Sequence, residues 1–426
     1  MASPPAPVAP AKILDYIGPR TDLIVPIANG EPRDVIDAIE AAAGSLEGVR
    51  IHQMHCLHDR AYLHGEFGDR LRHVSYFLSH ITRAPYAEGH IDYAPANFSE
   101  VPMVMAEMTR DPVVIAASSL PDRHGYFSLG TSADYVSSMI GRRPIFLEAT
   151  PRMPHTHGAN VVHHSQILGW CQSERALVDV PRIGAKPVEE AIAALVAAEI
   201  PDRATLQVGI GGIANAILAG LHGHRDLGLH TELLHDGVMD LVESGVITGV
   251  AKEHRRNRAV ATFALGTEEL YRWLDGNPAV EMLSVEYVND PRVVAGLSNF
   301  VSVNATLEVD LLGQCASETI GTRYFSGSGG QADFARGAMY SPGGKAFVVL
   351  PSTTRDGRSR ITSTLASGAV VTTLKNTVDH VVTEHGIARL RGKTLSQRAR
   401  ALIAIAAPEH RDDLGRQAHE RGLLHD

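Results

Sequence analysis

Short apolar runs alternate with stretches of helical period along the first half of the chain. "DLIVPIAN" is followed by "VIDAIEAAAGSL" and "VRIHQMHCL", and later come "VVIAASSL", "YVSSMIG" and "PIFLEAT". Strands alternating with helices in this way predict an α/β fold with a largely parallel sheet. The texture changes around "CQSERALVDVPRIGAKPVEEAIAALVAAEI", where a connector bearing Pro and Gly leads into an apolar helix expected over residues 187–200. A domain boundary is therefore placed near residue 185, dividing 1–185 from 186–426. The alternation then begins again. "ATLQVGIGGIANAILAGLHG" reads as strand, glycine loop and helix, "GLHTE" as a short strand, and "DGVMDLVESG" as a helix with Asp236 at its N-cap and Gly245 just past its end. "AVATFALGTEELYRWLDGNP" repeats strand then helix. "FVSVNATLEVDLLGQ" has period-two character and suggests antiparallel pairing, "FSGSGGQADFARGA" is a glycine loop entering a helix, and the C-terminal stretch is helical with a break at Pro408.

At 426 residues the chain exceeds the roughly 250–300 at which single cores stop growing, which fits two α/β domains. With 44% hydrophobic and 20% charged residues it has the makings of a core, and disorder is excluded as its main state. The net charge of -9, without a long Lys/Arg run, argues against nucleic acid or an anionic membrane as partner. Cys56, Cys171 and Cys315 are far apart and form no CxxC pair, so neither a disulfide framework nor a zinc knuckle is expected, and a cytoplasmic setting fits. "MASPPAPVAPAK" has no basic or uninterrupted apolar region, and residues 1–12 are expected to be a frayed tail.

Three features carry candidate chemistry. Gly209, Ile210, Gly211, Gly212 and Ile213 follow a strand and open a helix, so their backbone N–H groups can face an anion without Cβ interference. With Ala214 they also satisfy G-x-G-x-x-A, and Glu232 then falls where a dinucleotide fold keeps its ribose-binding acid. By pattern alone Glu232 is open to three roles: a cap, a ribose ligand or a nucleophile. The second run, Ser326 to Gln331, offers further unobstructed donors of the kind that hold a phosphate or an oxyanion. His52, His55 and His58 sit at a spacing of three on an expected strand, which sends successive rings to opposite faces and argues against a metal site. No G-x-S-x-G elbow is present, and Arg355, Arg358 and Arg360 are read as a solvated hairpin tip.

Taken together, "LQVGIGGIANAIL", "LHTELLHDGVMDLVESGVITG", "ATFALGTEELYRWLDGNP", "VNDPRVVAGLSNFVSVNATLEVDLLGQ", "FSGSGGQADFARGA" and the C-terminal "VVTEHGIARLRGKTLSQRARALIAIAAPEHRDDL" resemble the acetyl-CoA hydrolase/transferase family, in its 4-hydroxybutyrate CoA-transferase branch. "YAEGHIDYAPANFSEVP" and "PDRHGYFSLGTSADY" extend the likeness into the first half. The resemblance implies two similar open α/β domains with mixed, mostly parallel sheets. It implies short-chain acyl-CoA and small carboxylic acids as substrates, no tightly bound cofactor, and a homodimer or a dimer of dimers. The family's catalytic glutamate, in a His-Ser/Thr-Glu motif before an Asp-Gly helix start, falls on Glu232. Its coenzyme A loop falls on Gly209 to Ile213, its second loop on Gly329 and Gly330, and a polar site position on Asn304. The chain departs from the usual pattern at Ala214, where Pro is common, at Ser328, where an aliphatic residue is common, and at Ala149-Thr150. These departures bear on substrate identity. Hydrolysis of acyl-CoA is the alternative within the family, and an NAD-binding oxidoreductase or sensor is the alternative outside it.

Overall fold

A parallel strand covered on both faces has no polar side to show, and the central strands of the first half, Val113–Ser118 and Ile145–Ala149, are buried at every position. The computed structural model describes residues 4–182, 184–209 and 211–425. Seven strands, β1 (Asp22–Ile24), β2 (Val49–Gln53), β3 (Leu71–Ser75), β4 (Ile91–Tyr93), β5 (Val113–Ser118), β6 (Ile145–Ala149) and β7 (Gly169–Gln172), form an all-parallel sheet in the order β4-β3-β2-β1-β5-β6-β7. Alternate residues feed different cores. Ile24, Val114 and Ala116 join one apolar cluster, while Leu23, Val25, Val113 and Ile115 join another. The two clusters are the two faces of the sheet.

The chain divides into two compact units. The first comprises Met1–Arg182, Glu232–Asp236 and Val260–Val288, and the second Ile183–Thr231, Gly237–Ala259 and Asn289–Asp426. Strands β8 (Thr205–Val208), β9 (Gly228–Leu234), β10 (Ala259–Ala264), β11 (Val280–Met282), β12 (Phe300–Ala305), β13 (Lys345–Val349), β14 (His380–Thr383) and β15 (Gly386–Arg389) follow. The late segment is held into the first unit by bridges from Ser132 to Phe263 and from Gly158 to Met282, and by the Leu265 N–H donating to the Leu234 carbonyl. Within the second unit the order is β9-β8-β12-β13-β14-β15, parallel except for the antiparallel β14–β15 pair. Both units thus repeat one plan. Strand order reverses beside β1 in the first and beside β8 in the second, the kind of point where open α/β sheets leave a crevice at their carboxyl edge.

Three sequence expectations change. Phe300–Ala305 pairs parallel on both sides, with β8 and β13, and its polar Ser302 is buried between neighbours rather than turned to water. Of this stretch, Glu308–Asp310 pairs antiparallel, with Cys315–Ala316. The Ala/Pro-rich start is tied down rather than frayed: Trp170 Nε1 donates to the Pro5 carbonyl, the Val8 N–H donates to the Trp170 carbonyl, and a 3-10 helix covers Pro10–Tyr16 with Ile13 buried. The helix expected over 187–200 is Pro187–Ala197. The basic hairpin is a tight turn, with Gly357 at positive φ and Arg358 paired to Asp356.

Buried acids make the first unit sensitive to pH. Helix Arg33–Ala41 has Pro32 at its N-cap and no cap of its own; Glu148 of β6 supplies one, accepting from the Asp34 and Val35 N–H groups at 2.7 and 3.0 Å. Burial nevertheless pushes the Glu148 carboxyl up to about 7, and that of Asp134 up to about 7, against the backbone N–H bonds that favour their charged forms. A carboxyl raised in the folded state keeps its proton where the unfolded chain has lost it. Its stabilising effect is therefore complete below the unfolded value, near 4, and is lost as pH rises to about 7. Asp37, which Arg60 and Arg175 hold low despite burial working the other way, titrates below that window. In thermal scans from pH 4.5 to 7, the melting temperature of the natural protein should fall relative to Glu148→Gln by a few degrees, on the order of 2–4 °C per kcal/mol of linkage. A constant difference across that range would contradict the account.

Candidate active site

Where β8 ends, the chain leaves the sheet through the first glycine run. The Gly209 N–H is held by the Val303 carbonyl of β12 at 3.1 Å, and Gly211 turns the backbone at φ +108° and ψ -178° into helix Gly212–Ala219. That conformation suits glycine alone. The three glycines face different surroundings. A Cβ on Gly211 would meet nothing within 4 Å, whereas one on Gly212 would lie 2.2 Å from Glu189 Oε2. The Glu189 carboxylate is engaged there as the acceptor of the Lys186 N–H, at the start of helix Pro187–Ala197. Gly212 therefore admits a neighbouring helix, and Gly211 leaves room outside the fold. Ile213 is half-buried, and Ile210 lies outside the described residues.

Gly209 and Asn304 are brought together. A Cβ on Gly209 would stand 3.9 Å from Asn304 Oδ1. They meet because Val208 pairs with Val303, so both strands run out at the same level. Behind them lies Gln207, which the sequence reading did not single out. It is fully buried, and its carboxamide exchanges two hydrogen bonds with that of Asn304, at 3.2 and 3.0 Å. Its one signal in the sequence is a glutamine inside the otherwise apolar run "LQV".

Gly329 takes φ +53°, and Gly330 is the N-cap of helix Gln331–Tyr340, which packs on β12 and β13. In a crossover between parallel strands the helix starts at the carboxyl edge, so both glycine runs open helices on the edge of the second unit's sheet where Asn304 lies. Helix N-termini with unobstructed amides attract anions.

Glu232 sits on β9, directly after Thr231, whose hydroxyl donates to the Val208 carbonyl at 3.3 Å. Of the seven residues of β9 it alone is not buried. Asp236 opens helix Asp236–Glu243. Its carboxylate also reaches away from the helix, accepting from the Thr267 N–H and hydroxyl with Arg182 at 3.6 Å, and Gly266 leaves space for it: a Cβ there would be 2.3 Å from Asp236 Oδ2. Gly245 ends that helix at φ +73°, with the Val246 N–H returned to the Leu241 carbonyl. Among the described residues no group of three His, Cys, Asp or Glu is arranged to hold a metal ion.

The family models settle the lineage: the N-terminal domain of acetyl-CoA hydrolase/transferase matches residues 19–179, and its C-terminal domain residues 266–418. The chain belongs to the acetyl-CoA hydrolase/transferase family. Members similar to it include a succinyl-CoA:cyclohexane-1-carboxylate CoA transferase of Geobacter metallireducens, 42% identical over 94% of this chain and 92% of that one. A 4-hydroxybutyrate coenzyme A transferase of Clostridium kluyveri is 40% identical over 97% of each. Among solved structures, RipA from Yersinia pestis superimposes with a TM-score of 0.93 at 33% identity, covering 98% of both chains. No described helix of this family member is long and apolar enough to cross a membrane.

Proposed function

We propose that the protein is an acyl-CoA:carboxylate CoA-transferase for short-chain acyl groups, with Glu232 as its nucleophile. The observation that carries this reading is the placement of Glu232. It is the one residue of β9 that is not buried, in a chain of this family. In the proposed reaction the Glu232 carboxylate attacks the thioester carbonyl and expels coenzyme A thiolate, leaving a mixed anhydride. The thiolate then attacks the glutamyl carbonyl, releasing the donor acid as its carboxylate and leaving a glutamyl-CoA thioester. An incoming carboxylate runs the two steps in reverse and departs as its own CoA ester, so the kinetics are ping-pong. Gly209, Ile210, Gly211, Gly212 and Ile213 are proposed to contact coenzyme A. Gly329, Gly330 and Asn304 are proposed to supply further donors to the ligand and to developing negative charge. The relatives' names, which join succinyl-CoA to cyclohexane-1-carboxylate and coenzyme A to 4-hydroxybutyrate, set the range of acids to try.

Transfer and hydrolysis are separated by the acceptor. With acyl-CoA alone, the donor acid should be released to about one equivalent per active site while free coenzyme A stays well below the enzyme's own concentration. Adding acetate should produce acetyl-CoA at a rate at least about tenfold above any thiol release. Steady thiol release that acetate leaves unchanged would replace the transferase with a hydrolase.

A further inference from the structure

We propose that Arg360 is an anion site of the second unit and takes a phosphate group of coenzyme A. Arg355, Arg358 and Arg360 concentrate positive charge on one hairpin of a chain whose net charge is -9. Their surroundings differ. Arg355 and Arg358 are exposed, and Arg358 is paired to Asp356. Arg360 is half-buried, its backbone N–H donating to the Ser352 carbonyl at 2.8 Å and its carbonyl accepting from the Val309 N–H at 2.9 Å. A guanidinium drawn out of water needs a carboxylate or a full set of acceptors. Among the described residues Arg360 has neither. Nη1 makes one bond, of 3.4 Å, to the Leu307 carbonyl, and Nε is buried with no partner. Burial works against the charge, and no acid offsets it. The carboxylates close by in the fold are engaged elsewhere. Glu308 accepts from the Thr362 hydroxyl and the Ala366 N–H at 2.8 and 3.0 Å, and Glu384 from the Ser352 N–H and hydroxyl at 2.9 and 2.6 Å. Nη2 is neither bonded to a described residue nor buried, so one edge of the fork faces outward with its donors unused.

Position ties this edge to the glycine runs. Leu307 lies just past the end of β12 and Ser352 just past the end of β13, which places Arg360 beyond the carboxyl edge where Asn304 lies. Thr306, next to Leu307, accepts from the Ser317 hydroxyl at 2.9 Å, and the Ser317 carbonyl accepts from the hydroxyl of Ser326, at the head of the second glycine run, at 3.1 Å. The guanidinium fork matches phosphate geometry and keeps its charge at any working pH. Resting on the transferase reading for the identity of the ligand, coenzyme A is the substrate that carries phosphates. They lie at the end of the molecule remote from the thioester, so this subsite need not adjoin the reacting carboxylate.

The test is calorimetric titration with coenzyme A and with its nucleotide half, which keeps the phosphates and lacks the pantetheine arm, with thermal unfolding run alongside. Arg360→Gln should weaken both by about tenfold or more, as expected for loss of a charge-assisted bond, and Arg360→Lys, which keeps the charge without the fork, by about threefold. Affinity of the natural protein should fall as salt rises, and less steeply in Arg360→Gln. In CoA exchange, Arg360→Gln should raise the KM for acetyl-CoA by about tenfold and leave that for S-acetylpantetheine, which has no phosphate, within about twofold. If Arg360→Gln does not fold, Arg360→Lys decides by the same comparison of the two thioesters. The proposal is overturned if Arg360→Gln binds coenzyme A within about twofold of the natural protein, or if the KM values of both thioesters rise together, which marks a packing effect. A rise confined to the KM of a dicarboxylate acceptor such as succinate would also overturn it, giving the residue to the acid. Titration needs no turnover, so a natural protein that binds coenzyme A without exchanging it would overturn the transferase reading and leave the Arg360 site standing.

Discussion

Glu232→Ala should abolish CoA exchange, lowering turnover by about 10⁴-fold or more, while the protein unfolds within a few degrees of the natural chain. The size follows from chemistry: without the carboxylate neither the anhydride nor the glutamyl-CoA thioester can form, and what remains is binding and polarisation of the thioester. The small effect on folding follows from position, since Glu232 is the one residue of β9 that is not buried and truncating it opens little core cavity. Glu232→Gln should be as inactive, because an amide is a poor nucleophile of the same shape. The intermediate gives a direct check. Natural protein incubated with acyl-CoA and digested should yield a peptide containing residue 232 that carries coenzyme A, or its borohydride-reduced form. Retained turnover in Glu232→Ala, or an adduct on another residue, would move the nucleophile elsewhere.

Gly211→Ala should raise the KM for acyl-CoA by about tenfold or more, and should cost about 1–3 kcal/mol of stability. No clash is involved, because the Cβ position is open to 4 Å. The penalty lies in the backbone, where φ +108° with ψ -178° is closed to residues with a side chain, so the loop must change shape and its amides turn with it. Gly212→Ala makes the informative contrast. There the new methyl meets the end of the flexible Glu189 side chain and displaces the acceptor of the Lys186 N–H. It should loosen the start of helix Pro187–Ala197 with a smaller effect on KM. Titration with coenzyme A alongside thermal scans distinguishes the two. Equal effects on KM would mean that the loop's conformation is not what the ligand reads.

Much of the architecture was legible in the sequence for one physical reason. Parallel strands covered on both faces appear as unbroken apolar runs, and "VVIAAS" is buried at every position of β5. Glycine runs were legible as strand-to-helix turns because positive φ is costly elsewhere, as at Gly211 and Gly329. What sequence could not carry is the destination of a side chain. Asp236 reads as a cap from its neighbours, and its carboxylate also goes to Thr267, thirty-one positions on. The Ala/Pro-rich start has no partner within itself, and finds one in Trp170. Gln207 looks like a single polar lapse in a strand until Asn304, 97 positions away, comes alongside. Each of these contacts joins residues far apart in the sequence, which local periodicity does not encode.

The path of the chain has a consequence for the order in which the protein is made. Translation delivers residues 1–182 first, but the unit they build also contains Glu232–Asp236 and Val260–Val288. Between those pieces the ribosome releases the opening of the other unit, Ile183–Thr231, which must itself wait for Asn289 onwards. Neither unit can therefore be completed before the other has begun, although domains generally fold as separate units during synthesis. A message cut short at residue 185 should yield a product that leaves exposed the apolar surface that Phe263 and Val285 cover in the complete chain.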